Sequence, residues 1–534
     1  MFLNILHSKI FNILFKIFSF SHILFMIENT LIKLLKSLSP EEIKKFRYFL
    51  KSPYFNSNKN VVLLFDKIVK IYPSFYKPNF TNEKFKKKIN KSGFYNENTL
   101  RYLLWCLQKL IDRFLIEENL SNDKLYSADF LLFQYNLRNI GKLTETKLKY
   151  LEKEFGENVN INSKYFFYRF LIHTNKINYH FLNKFNLGNK KFAVNNFNDT
   201  GLNILYLFLY FITETISEFI NIYVYKYEFD LDLDKNFISA IFRELNLENI
   251  KKEIKLNSEY SYFLDIYMGL LDTYRFIEDD SYYYKYKKLF LDNINKLDYE
   301  EKSYHFTNLV NIIILKRFNN LGTTDLLNEE FRLYQIILDN EYYKEGKINH
   351  LPNTLFRSIL FTSLKLKKFS WCKDFIEKFH KKIAERDRQN MYNYALAFYY
   401  YEKNDINKSS NHIFKITIDN FIFKYDLRNL TLKIYYEIED TEAIMNLIHN
   451  YKDFIRYNAG VSRKRKNVFG NFIGFVEKLV LIRTGKEKID LRYLKRQVKE
   501  NKSVSNREWL LEKIEEIQAK KSGPGITRKV KFGT

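Results

Sequence analysis

In the segment SLSPEEIKKFRYFLKSP, apolar residues recur at Ile43, Phe46, Phe49 and Leu50, the three-and-four spacing that gathers them on one face of an α-helix. Ser39 offers a side-chain oxygen at the head of the segment. Pro40 suits the first helical position, and Glu42 completes an S-x-x-E capping box. Pro53 cannot continue the helix and stops it. Val61, Leu64, Phe65, Ile68 and Ile71 form the next stripe, which ends at Pro73. Thr81 then heads NEKFKKKI, and Asn96 heads a long helix carrying Leu100, Leu103, Leu104, Leu107, Leu110, Ile111, Phe114 and Leu115. Between the first two helices stand Tyr54, Phe55 and Asn56. The pattern predicts that the two aromatic rings plug the angle between the helices, with a peptide contact as the alternative.

The same helical grammar continues from about 121 to 460 without the alternation of a strand. A repeat emerges between 355 and 450. The stretch YALAFYYYEKNDINKSSNHIFKI places Leu396, Ala397 and Tyr400 on a first helix, Asn404-Asp405 at a turn, and Ser409 where a second helix crosses the first closely. It resembles a tetratricopeptide repeat, in which those positions hold Leu, Gly and Tyr, a Gly-Asp turn and a small residue. On the same alignment Cys372 takes the crossing position in the preceding unit and Ala443 in the following one, at offsets of 37 and 34 residues. The resemblance implies an α-solenoid of antiparallel helix pairs, a right-handed superhelix with a concave surface that takes peptides or other proteins.

Composition supports an all-α fold. Only 15 Gly and 6 Pro occur in 534 residues, too few for the tight turns of a sheet-rich chain. The division expected is an apolar extension (1–25), an N-terminal helical region (27–120), a repeat array (121–460), basic C-terminal helices (461–521) and a disordered basic tail (522–534). Residues 1–25 lack the basic start and cleavage site of a signal peptide. They read as an extension upstream of a true start at Met26, or alternatively as a helix lying on a membrane surface. A second apolar run, 202–213, reads as a buried core helix. Cys106 and Cys372 sit inside apolar helical patterns, as expected of buried thiols in a reducing, cytoplasmic setting.

The formal charge is +25, in a chain saturated with the Lys, Asn, Ile, Phe and Tyr that A/T-rich codons favour. Codon bias would spread lysine evenly, yet residues 451–534 alone carry 22 basic and 9 acidic residues. The excess includes Arg463, Lys464, Arg465 and Lys466, then Lys495, Arg496 and Lys499. Three readings compete for this cluster: a polar face capping the last helices, a contact for nucleic-acid phosphates, or a contact for an acidic protein or anionic lipid.

Catalytic motifs are missing. There is no Gly-rich phosphate loop, no H-E-x-x-H, no G-x-S-x-G and no C-x-x-C. His173 and His180 are seven residues apart, a poor spacing for a metal pair, and the acidic runs 230–234 and Asp279-Asp280 lack calcium-loop spacing. No cofactor or metal is expected. The reading is a non-catalytic helical-repeat scaffold for a protein or peptide partner. The alternatives are a nucleic-acid-binding repeat protein using the basic end, and a membrane-associated protein anchored through residues 2–25.

Overall fold

Ser39 and Glu42 close the capping box. The Ser39 hydroxyl accepts from the Glu42 N–H at 3.1 Å, and the Glu42 carboxylate accepts from the Ser39 N–H at 2.8 Å. The computed structural model describes residues 30–70, 97–156, 161–184, 190–229, 237–318, 324–344, 349–416, 421–458 and 461–521. The apolar extension, Met26, Ile71, Pro73, the caps at Thr81 and Asn96, the acidic run 230–234 and the basic tail lie outside the described residues. Those described are helical throughout, with one isolated bridge between Ile161 and Leu297 and no strand among them.

The chain divides into two compact units, residues 1–151 with 178–185, and residues 152–177 with 186–534. The first holds α1 (Pro40–Lys51), α2 (Lys59–Val69), α3 (Glu97–Asn122) and α4 (Lys124–Leu137). Its core follows the apolar stripes. Phe46 meets Phe65 edge-on at 5.1 Å and Phe114 at 5.2 Å, and Leu50, Leu64 and Leu107 are fully buried around them. Helices α5 (Gly141–Glu154) and α6 (Ser163–Lys184) belong partly to each unit.

The second unit runs through α7 (Lys190–Phe229), α8 (Phe237–Glu244), α9 (Leu247–Asn257), α10 (Ser261–Arg275), α11 (Asp280–Asp292), α12 (Tyr299–Phe318) and α13 (Thr324–Asp339). It continues with α14 (Asn353–Lys365), α15 (Phe369–Phe379), α16 (Glu385–Glu402), α17 (Ile406–Ile413), α18 (Phe421–Glu437), α19 (Thr441–Tyr457), α20 (Arg463–Arg483), α21 (Leu491–Glu500) and α22 (Arg507–Lys521). Neighbours in sequence pack on one another, and α20 returns to touch α7. Side-chain hydrogen bonds join residues 32 to 34 positions apart, from one helix pair to the next: Tyr274 to Asn308, Thr362 to Glu330, Asn353 to Asp387 and Tyr394 to Asp426.

Three corners in this unit are built alike. Lys367, Asn404 and Glu439 adopt left-handed backbone, with φ of 55°, 60° and 62°. The following N–H reaches back five residues: Lys368 to Ser363 at 3.0 Å, Asp405 to Tyr400 at 2.9 Å, and Asp440 to Tyr435 at 3.1 Å. That arrangement closes the outgoing helix end. The next helix then begins with Cys372, Ser409 and Ile444 donating to Lys368, Asp405 and Asp440. The third crossing position is therefore Ile444 and not Ala443, and the second offset is one residue longer than expected. The expectation of a small side chain fails there as well. Ile444 and Leu432 are both fully buried in that core, whereas Ala443 is half-exposed beside its cap Asp440.

At the second corner the small residues matter. Ser409 and Ala397 are fully buried, and the Ser409 hydroxyl donates to the Ala397 carbonyl at 2.7 Å. Ser409→Leu should cost about 1–3 kcal/mol through overpacking. Urea unfolding measures this, and an unchanged midpoint would mean the crossing is not close.

The apolar run 202–213 lies in α7, whose Lys190–Lys226 stretch is long and apolar enough to cross a membrane. It is not the buried core helix that the sequence reading expected. Tyr206, Leu209, Ile212 and Ile216 are buried, while Ile204 and Phe211 stay 59% and 42% exposed. The helix is apolar on both faces, and only one packs on the core.

Candidate functional site

Helix α12 starts because Asp298 caps it, accepting from the Glu301 N–H at 2.8 Å. Acidic Glu300 and Glu301 sit in its first turn and Lys316 and Arg317 in its last, matching the helix dipole. Neighbours cover most of it. Phe306, Leu309, Ile312, Ile313 and Leu315 are buried, and so are His305 and Asn308. One stripe remains open: Tyr304 half-buried, then Thr307, Asn311, Ile314 and Phe318 exposed at three-and-four spacing.

Tyr304, Thr307, Asn311 and Ile314 of that stripe form one wall of a groove of about 1390 Å³ whose other walls include Tyr334 of α13 and Ser358 of α14. The groove is larger than the ~300–1,000 Å³ typical of small-molecule pockets. Its tyrosines are hydrogen-bonded into the walls. Tyr304 donates to the Ser217 hydroxyl at 2.9 Å, and Tyr334 to the Glu330 carboxylate at 3.0 Å. Burial raises both phenol pKa values, and for Tyr334 the Glu330 charge adds to the effect. They therefore stay uncharged at neutral pH and act as positioned rings. Charges at the groove are paired: Lys164 with Glu300 at 3.1 Å, and Lys344 with Glu341. The lining is thus aromatic and polar with little net charge.

The aromatic corner behaves differently from expectation. Phe55 does plug it, stacked on Phe49 at 4.1 Å with the Arg113 guanidinium 4.8 Å from its ring centre. Tyr54 does not; it is 80% exposed, because the turn carries it outward past Arg113. Asn56 is structural. Its amide donates to the Leu50 and Asn58 carbonyls at 2.9 and 3.2 Å, tying the turn shut.

The basic residues fall in two places. Arg463, Lys464, Arg465 and Lys466 form the first turn of α20, capped by Ser462 and containing no acidic residue. Cations there oppose the helix dipole, each by on the order of 0.3–1 kcal/mol. Lys464 places its ammonium 4.4 Å from the centre of the Phe318 ring, at the open end of the α12 stripe. Lys495, Arg496 and Lys499 belong instead to α21. Lys495 pairs with Glu515 at 2.8 Å, and Arg496 lies over Tyr493 at 5.5 Å. Gln497, among them, receives a hydrogen bond from Lys478 at 3.5 Å. Lys478 is roughly 18 Å up the α20 axis from Lys466, at about 1.5 Å per residue. The sequence clusters therefore do not merge into one patch around Gln497.

Of the repeat-packing residues, Leu396, Ala397, Cys372 and Ser409 are buried, and Tyr400 stacks on His412 at 5.7 Å. Burial pushes the Cys372 thiol up to about 11, which leaves it unreactive at neutral pH. Asp279 caps α11, and Asp280 pairs with Lys316 at 2.6 Å, so this acidic pair is accounted for. No group of three or more metal-ligating side chains occurs among the described residues. The groove escaped sequence reading because its walls come from α12, α13 and α14, and the sequence does not show which side of α12 its neighbours leave open. No family model, no curated protein and no solved structure matches the chain.

Proposed function

We propose that the protein is a non-catalytic scaffold of stacked helix pairs, a tetratricopeptide-like solenoid, that binds an extended peptide segment of a partner protein in the groove along α12. The open stripe on α12 carries this reading. A helix whose other faces are buried presents Thr307, Asn311 and Ile314 to the groove. The Asn311 carboxamide offers donors and an acceptor, which suits the N–H and C=O groups of an extended backbone. From Tyr304 to Ile314 the groove-lining part of the stripe spans about 15 Å at about 1.5 Å per residue, room for roughly four to five residues of extended chain. The recurring links between residues 32 to 34 apart and the three like corners support the stacking part of the proposal.

Asn311→Arg places a bulky charge in the groove without touching the core. Peptides selected from a random twelve-residue display library on the wild-type protein should lose at least tenfold in affinity for this variant, read by fluorescence anisotropy. Tyr54→Ala should leave them unaffected. Selected peptides that bind Asn311→Arg as tightly as wild type would place binding elsewhere.

A further inference from the structure

The groove is nearly neutral along its length, yet it runs toward a concentrated positive charge. Ile314 lines it, Phe318 lies one turn further along α12, and Lys464 caps the Phe318 ring at 4.4 Å. Lys464 shares the first turn of α20 with Arg463, Arg465 and Lys466, and that turn holds no acid. Arg428 of α18 adds to the same region: it lies 4.4 Å from the Phe454 ring centre, and both it and Arg465 act on the Tyr425 phenol. The positive end of the α20 dipole lies at the same turn. The apolar step of Ile314 and Phe318 on α12 is thus followed by Lys464, which belongs to the cationic first turn of α20.

Resting on the peptide-groove reading above, we infer that the partner segment is acidic at one end: an apolar side chain seated against Ile314 and Phe318, followed by aspartate or glutamate side chains against the Arg463–Lys466 turn. Charge complementarity selects an acidic peptide. The uncharged Thr307 and Asn311 set no charge requirement on the remainder of the segment.

The test uses the full chain and the same display library. Arg463→Glu with Lys466→Glu reverses charge at a helix N-terminus, where carboxylates favour the helix, so the double variant is expected to fold, as circular dichroism would show. Peptides selected on the wild type should be rich in Asp and Glu at one end. They should bind the double variant at least tenfold more weakly and should weaken as salt rises. Selected peptides that lose binding to Asn311→Arg, carry no acidic end and bind the double variant unchanged would overturn the inference while leaving the groove reading intact. Peptides indifferent to Asn311→Arg would defeat both. A twelve-nucleotide uridine RNA that binds the wild type and fails on the double variant, with no acidic peptide doing so, would assign the cations to nucleic acid and overturn the proposal.

Discussion

Asp426→Ala lowers the stability of the second unit by about 2–4 kcal/mol, the cost of stranding a largely buried cation. Asp426 on α18 accepts two hydrogen bonds from the Arg357 guanidinium of α14, one at 2.7 Å, and a third from the Tyr394 hydroxyl of α16 at 2.6 Å. One carboxylate thus ties three helices from different pairs. The side chains of Arg357 and Asp426 are only 27% and 13% exposed, so water replaces the lost partner only in part. The guanidinium also lies over Phe361 at 4.7 Å, which fixes its position. Arg357→Met combined with Asp426→Leu removes both charges and should recover part of the loss, the remainder being the buried Tyr394 hydroxyl, which still loses its acceptor. Chemical unfolding of the two single variants and the double measures this. A loss under about 1 kcal/mol for Asp426→Ala would mean the pair behaves as an exposed one.

Acidification should weaken the same unit through His173. The imidazole is 3% exposed, and burial first, then Arg169 and Lys176, push its pKa down to about 4 against the pull of Asp199 and Glu152. Arg169 lies 3.4 Å from Nε2 on one side, and Asp199 lies 3.6 Å from Nδ1 on the other. An unfolded chain takes up the proton near 6.5, whereas the folded one resists until about 4. Stability is therefore complete above pH 6.5, declines as pH falls through that window, and levels off below about 4. The full loss is about 3 kcal/mol at 1.36 kcal/mol per unit. His173→Gln should flatten this slope in unfolding experiments between pH 4 and 7. A variant that keeps the wild-type slope would assign the acid sensitivity to other groups.

Local chemistry was legible in the sequence where a few neighbouring residues decide it. The Ser39 box, the Pro40 start and the stripe Ile43, Phe46, Leu50 all appear as read. The corners were less legible, because a left-handed turn is normally advertised by glycine. Here Lys367 and Glu439 take that conformation, and a lysine or a glutamate gives no signal of it. The missed register at Ala443 follows directly. Without the turn residue as a marker, the small side chain was aligned instead, one position from the true crossing at Ile444. The groove was not legible at all. Whether Asn311 faces a neighbour or an opening depends on where α13 and α14 pack. Charge was legible as an excess near the C-terminus, but its division between the start of α20 and the outer side of α21 needed the antiparallel return of the chain.

The contact of α20 with α7, reinforced by Lys464 on Phe318, has an evolutionary side. A string of modules with free ends can gain or lose a member by duplication or deletion at little cost, because each touches only its neighbours. If the helix pairs stack as proposed, a string whose later members grip its earlier ones cannot, since one extra module would pull the latch apart. In lineages of this protein the number of helix pairs between α7 and α20 should accordingly stay fixed while their sequences drift.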